Sequence, residues 1–231
     1  MNTLQWSGTI QTVTMVDLVR PNNPGDDVTQ AFTGLVSDAV WTGSVDGGRI
    51  VGTTGSDLVF LDDDAFTTPR LENIVVFNMR GGDDVVDLTS DRFSYGHARL
   101  EGGTGNDWLF GGAVGDRILG GAGEDRLKGG AGNDVINSGS EQDHLFGGAG
   151  RDKFIFGDHD GRDNIYDFTT AGKGHDVIDL SSSTIITDFA DLIANHSIVE
   201  DGELKLTLDD GSYIRLYGVD PLDLIEQDFL F

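Results

Sequence analysis

At 231 residues and with no cysteine, the chain is long enough for one elongated domain or two small ones and can hold neither a disulfide nor a thiolate metal site. Its 40 acidic against 15 basic side chains give a formal charge of −25, which argues against nucleic acid and anionic membranes as partners. Only 38% of the residues are hydrophobic, so the chain is expected to be loose or partly disordered until something neutralises its carboxylates.

Residues 1–50 read as short β segments between turn signals, TIQTVTMVDLV before PNNPGDD and then AFTGLVSDAVWTGSVDGGRIV, and are expected to cap the open end of a repeat array. The N-terminus lacks a basic n-region and a continuous apolar core, so it does not read as a secretory signal peptide. No run approaches the ~20 apolar residues of a membrane span. Trp6 and Trp41 read as core. From Gly52 a nine-residue phrase appears in worn form: GTTGSDLVF at 52–60 and MRGGDDVVD at 79–87 set Gly55 and Gly82 at place four, Asp57 and Asp84 at place six, and Val59 and Val86 at place eight. The insertion LTSDR then breaks the spacing before FSYGHARLE at 93–101, which has Ala98 at place six. Whether Asp84 reaches the acids beyond depends on how that insertion is accommodated.

Gly102 to Ile155 repeats the phrase without interruption: GGTGNDWLF, GGAVGDRIL, GGAGEDRLK, GGAGNDVIN, SGSEQDHLF and GGAGRDKFI. Place six is always aspartate (Asp107, Asp116, Asp125, Asp134, Asp143, Asp152), and place eight is always apolar (Leu109, Ile118, Leu127, Ile136, Leu145, Phe154). Glycine crowds the first four places, where a tight turn needs positive φ and carbonyls must turn towards one point. Each unit is therefore a turn followed by a short strand with one inward side chain. One unit cannot bury that side chain alone, so coils of two units are expected to stack, with strands ~4.8 Å apart. Asp107, Asp125 and Asp143 then share one edge, and Asp116, Asp134 and Asp152 the other.

Stacked like charges repel unless compensated. A hard cation between turns, taking carboxylates and carbonyls, reverses that sign and finds the roughly six oxygens at ~2.3–2.6 Å that calcium prefers. The candidate ligands are the six aspartates, with Asp163 beyond them, and the turn glycines Gly103, Gly105, Gly121, Gly123, Gly130, Gly132, Gly148 and Gly150. Two turns depart from the pattern: Val114 takes the place of the fourth glycine, and Ser138, Ser140 and Glu141 replace turn residues in the fifth copy. Sites joining intact turns, Asp107 with Asp125 and Asp134 with Asp152, are expected to be the better ones.

This array resembles the RTX, or repeats-in-toxin, group of calcium-binding proteins secreted by bacteria. The resemblance implies an all-β fold, a parallel β-roll binding several Ca2+ ions, and export by type I secretion machinery to the extracellular medium. Residues 51–168 are assigned to the roll, with the intact repeats at 102–155, and residues 169–231 to a C-terminal cap and secretion signal.

After Ile155 the spacing slips by two, and DHDGRDNIY at 158–166 restores Gly161, Asp163 and Ile165. The adjoining stretch through DVIDLSSS resembles the segment that ends RTX arrays of serralysin-type proteases and alginate epimerases, with Asp163, Asp167 and Asp176 placed to hold a terminal ion. TDFADLIAN is apolar at helical spacing behind a Thr/Asp cap, ELKLTLDDGSYIRLYGV reads as a hairpin, and PLDLIEQ as a last short helix with proline at N1. The tail Asp228–Phe231 resembles an uncleaved type I signal and is also expected to dock on the hairpin.

No HExxH and no GxSxG is present, and no nucleophile, base and pocket can be assembled, so the chain is not read as an enzyme. The first functional expectation is a structural or interaction protein folded by extracellular calcium. The alternative is a carbohydrate-binding accessory module for an anionic polysaccharide, carried by outward rows with Trp108, Arg126 and His144 on one face, Lys128 nearby, and Arg117, Val135 and Lys153 on the other. His144 itself reads as a solvated residue.

Overall fold

The computed structural model describes residues 44–46, 49–52, 54–55, 58–60, 76–89, 96–172, 174–208 and 211–231. Most of the expected N-terminal cap, with Trp6 and Trp41, and the acid Asp57 lie outside the described residues.

Through the repeat array, successive strands alternate between two sheets. One contains β1 (Ser44–Asp46), β2 (Arg49–Val51), β4 (Val76–Asn78), β6 (Arg99–Thr104), β8 (Arg117–Ala122), β10 (Val135–Ser140), β12 (Lys153–Ile155), β14 (Val177–Asp179) and β18 (Phe229–Leu230), paired in that order. The other runs from β3 (Leu58–Phe60) through β5 (Val85–Asp87), β7 (Trp108–Phe110), β9 (Arg126–Ala131), β11 (His144–Ala149) and β13 (Arg162–Ile165) to β17 (Tyr213–Leu216), β16 (Glu203–Thr207) and β15 (Ser197–Glu200). Pairing is parallel throughout the array, as in Val135 with Arg117 and His144 with Arg126, and antiparallel only at β1 with β2 and in β15–β16–β17. This is a parallel β-roll, the fold class that the resemblance implies, with the stacked two-unit coils that the nine-residue period predicts.

The core arises from one inward side chain per unit. Phe77, Leu100, Ile118, Ile136, Phe154, Ile178 and Phe229 form one file, and Val59, Val86, Leu109, Leu127, Leu145, Ile165 and Leu216 the other, every one of them buried. Truncating such a side chain to alanine costs about 2–5 kcal/mol. The LTSDR insertion leaves both files intact: Val85 pairs with Trp108 and Val76 with Arg99, 23 residues apart, the same separation that the hydrogen bond from the Asp84 amide to Asp107 spans.

The C-terminal elements continue both sheets. The predicted hairpin is present as β16 and β17, with the DD of its turn outside the described residues, and β15 adds a strand that the sequence pattern did not announce. The expected helix over 187–195 is capped by the Asp188 side chain, but only α1 (Phe189–Asp191) is α-helical, and Leu192–His196 widens into a π turn that buries Leu192. PLDLIEQ forms two 3-10 turns, Pro221–Asp223 and Glu226–Asp228, because Leu224 and Ile225 between them are extended. The tail docks not on the hairpin but as β18 on β14: Ile178 pairs with Phe229, and the Leu180 amide donates to the Leu230 carbonyl at 2.7 Å. Phe229 is in the core, and the fully buried Asp228 carboxylate accepts from the Ile225 amide at 2.9 Å.

Backbone and core each set an expectation for stability. Glu141 has φ 87 at a turn place where the intact copies have glycine, a conformation costing an L side chain roughly 1–2 kcal/mol. Glu141→Gly is therefore expected to raise the melting temperature in calcium by about 2–4 °C per kcal/mol gained; a lower value would show that the glutamate side chain contributes more than its backbone costs. Deleting 228–231 removes a core phenylalanine and a sheet-completing strand, so the truncated protein should melt well below the full chain in calcium.

Candidate metal centre

The turns have one shape wherever left-handed residues fall at places two and four. Gly103 and Gly105, Gly121 and Gly123, Gly130 and Gly132, and Gly148 and Gly150 all have positive φ. A Cβ at Gly121 would overlap the Gly103 carbonyl, and one at Gly148 the Gly130 carbonyl, so close stacking of coils also demands glycine there. In the turn at 111–116 neither Gly112 nor Gly115 is left-handed.

Stacking these turns aligns the place-six aspartates into two columns. On one edge the Asp84 amide donates to Asp107 Oδ1 (2.8 Å), Asp107 to Asp125 (2.8 Å), Asp125 to Asp143 (2.8 Å) and Asp143 to Asp163 (3.1 Å). On the other the Ala98 amide donates to Asp116 Oδ1 (2.7 Å), Asp116 to Asp134 (2.6 Å), Asp134 to Asp152 (2.8 Å) and Asp152 to Asp176 (2.9 Å). One oxygen of each carboxylate thus caps the coil beneath it.

The second oxygen decides what else the columns do. Oδ2 of Asp107, Asp125, Asp134, Asp143, Asp152 and Asp163 is buried and has no hydrogen-bond partner. A buried charged oxygen without a partner is costly, and this array repeats the cost at every coil. Each of these oxygens in an intact turn looks towards the place-one residue: a Cβ built on Gly102, Gly120, Gly129 or Gly147 would collide with the Oδ2 of Asp107, Asp125, Asp134 or Asp152. At Gly102, Gly120 and Gly129 the same Cβ would also meet a carbonyl of the next coil, from Gly120, Ser138 and Gly147 respectively. Carboxylate and carbonyl oxygens therefore converge on a point that only glycine leaves open, a donor set that fits a hard divalent cation such as calcium. Among the described residues no three His, Cys, Asp or Glu side chains cluster as a metal site, so any ion here must rely on backbone carbonyls for most of its shell.

Asp107, Asp125, Asp143 and Asp163 stand in one column and Asp116, Asp134 and Asp152 in the other, and three acids are partnered differently from the rest. Asp116 stands in its column, but its Oδ2 already accepts from the Gly112 amide at 2.8 Å. Asp176 ends the second column with its Oδ2 taken by the Thr169 amide, and Asp167 accepts from the Gly147 and Gly148 amides, so both serve as backbone caps. The place-one carbonyls beside the aspartates do not stand out in the sequence, where places two and four are more distinctive. A second ladder also escapes the sequence reading: Asp83, Asn106 and Asn133 at place five accept from the amides of Asn106, Glu124 and Arg151 in the next coil. Its signal in the sequence is Asx recurring one place before the invariant aspartate. His144, expected to be solvated, is half-buried, with Nδ1 2.7 Å from the Tyr166 hydroxyl and its ring stacked on Tyr166.

Burial pushes the column carboxyls far above the ordinary carboxylate range, and neighbouring aspartates add to it. Asp107 and Asp125 are raised to about 8 and Asp134 to about 7, partly offset by the amides they cap. Asp143 and Asp163 shift the same way, chiefly by burial. A folded-state pKa above the unfolded one gives stability that is complete below the unfolded value near 4 and is lost as pH rises through the folded value. In a metal chelator, β content should therefore be greater near pH 5 and fall towards pH 8, read by far-UV circular dichroism. A chelated protein that gains structure over that rise would contradict the burial of these groups.

The family model for the RTX calcium-binding nonapeptide repeat, four copies long, matches residues 94–127 and 114–145. No curated protein matches the chain. Among solved structures, the solution structure of the AlgE6R3 subunit of the Azotobacter vinelandii mannuronan C5-epimerase is similar at 28% identity, covering 55% of this chain and 78% of that one with a TM-score of 0.45. Residues 94–145 thus match the RTX calcium-binding nonapeptide repeat, and their strands are wound as a parallel β-roll.

Proposed function

We propose that the protein works outside the cell, where calcium ions seated between successive turns complete its fold, and that the folded roll serves a structural or interaction role. The observation that supports this most is the set of buried Oδ2 atoms without partners on Asp107, Asp125, Asp143 and Asp163 along one edge and on Asp134 and Asp152 along the other. Their ions would draw further oxygens from the turn carbonyls, and each ion would supply the positive charge that buried carboxylates lack. Sites made by two adjacent coils do not exist in the unfolded chain, so binding energy becomes folding energy. Weak sites of this kind fill where calcium reaches ~10⁻⁴–10⁻³ M, a range that favours the extracellular medium over the cytosol. Type I secretion machinery, which passes unfolded chains, is the export route this reading implies.

The alternative partner, an anionic polysaccharide, has less support. The outward row does carry Trp108, Arg126 and His144, joined by Phe146, Tyr166 and Tyr217. Phe146, Tyr166 and Tyr217 stack on one another at 4.8 and 4.7 Å, and Arg126 lies over both Trp108 and Phe146. Ring faces used up in this way hold the sheet together and leave mainly edges for a sugar. Lys205 and Arg215 nearby are both paired with Glu200.

Adding calcium to metal-free protein at about pH 7.5, where the column carboxyls begin to ionise, should increase the far-UV β signal and raise the melting temperature. Equal β content and equal melting in chelator and in calcium would falsify the proposal.

A further inference from the structure

The two carboxylate columns are not equivalent, and the difference is concentrated at one level. At the turn 111–116, Val114 occupies the fourth place and the glycine is displaced to 115. With neither Gly112 nor Gly115 left-handed, β7 ends at Phe110, whereas β9 and β11 of the same sheet run on through Ala131 and Ala149. The altered path turns the Gly112 amide onto Asp116 Oδ2 at 2.8 Å. The other five aspartates of the intact array keep an Oδ2 with no hydrogen-bond partner.

The coil beneath departs in a matching way. Ala98 stands where a place-six carboxylate would be, and its amide is capped by Asp116 Oδ1. His97 Nδ1 lies against the Gly115 carbonyl of the next coil. Burial still raises the Asp116 carboxyl above its ordinary range, and the Ala98 and Gly112 amides and then His97 offset part of that rise. Two amides thus hold the Asp116 carboxylate, while its Oδ2 and the Gly129 carbonyl approach the place-one Gly111 as in the intact turns.

The geometry points to a calcium-independent level in the roll: Asp116 is a positioning residue rather than a metal ligand, and the Gly112 amide does there what an ion does elsewhere. This rests on the calcium reading above. It also implies a latent site, since Val114→Gly with Gly115→Asn would turn GGAVGD into the GGAGND of residues 129–134. Both changes are needed, because in the present turn a Cβ on residue 115 would overlap the Asn133 carbonyl.

The test counts calcium ions per folded chain by equilibrium dialysis, with circular dichroism confirming the fold. Asp116→Asn should keep the wild-type number, Asp125→Asn should lose at least one ion, and the Val114→Gly/Gly115→Asn protein should gain one. If Asp116→Asn folds but loses an ion as Asp125→Asn does, the inference is overturned; if it does not fold, the double variant decides, and a folded double variant with no added ion overturns it equally. Wild-type protein that binds no calcium would sink the calcium reading itself, an outcome distinct from wild type binding calcium with Asp116 among its ligands.

Discussion

The structure depends on an electrostatic conflict that the backbone itself creates. In each of the six contiguous repeats the place-six carboxylate caps, through its Oδ1, an amide of the coil beneath, from Asp107 on Asp84 through Asp152 on Asp134. The same bond carries a negative charge into the interior and stacks it on the next. Capping satisfies one oxygen and leaves the second facing glycine-cleared space. Where no amide reaches the second oxygen, as Gly112 reaches Asp116, protonation and a cation are the ways to settle it, and they act in opposite pH ranges. A fold with this dependence is conditional on its medium in a way that one held by its apolar files alone would not be.

Much of this was legible in the sequence because the period does two jobs at once. An apolar side chain at place eight fixes which way the strand faces, and an aspartate at place six fixes the edge, so spacing alone determined the alternating sheets, the two files and the two columns. The departures were harder to read. Asp84 joins its column across 23 residues, with Val85 paired to Trp108 over the same separation, and no local pattern announces that. Sequence marked the Val114 turn as irregular, yet the consequence, an amide reaching Asp116, depends on backbone angles. The C-terminal helices were over-read: apolar spacing in TDFADLIAN is real, but one buried leucine anchors it and the helix does not propagate beyond Asp191 as α.

A related phrase frames the array. DVVDLTS at 84–90 and DVIDLSS at 176–182 stand where the nine-residue spacing stops. In both, the second aspartate folds back on the residue two places on: Asp87 Oδ1 accepts from the Thr89 amide and hydroxyl at 2.9 and 2.5 Å, and Asp179 Oδ1 from those of Ser181 at 3.1 and 2.6 Å. Such a local turn competes with continuation of the strand. It follows the strand at the same point of the phrase each time, once at β5 and once at β14.

Alternation of units between the sheets also limits how an array of this kind can change length. Loss or duplication of 18 residues, the separation of Asp107 from Asp125, removes or adds one whole coil and leaves every later strand in its own sheet. A change of a single unit, such as the nine residues 129–137, would transfer all downstream strands to the opposite sheet and set β11 and the strands after it against the file and the row of the other face. Recombination within the repeats is therefore neutral only in even numbers, and the quantum of inheritance in this protein is the pair.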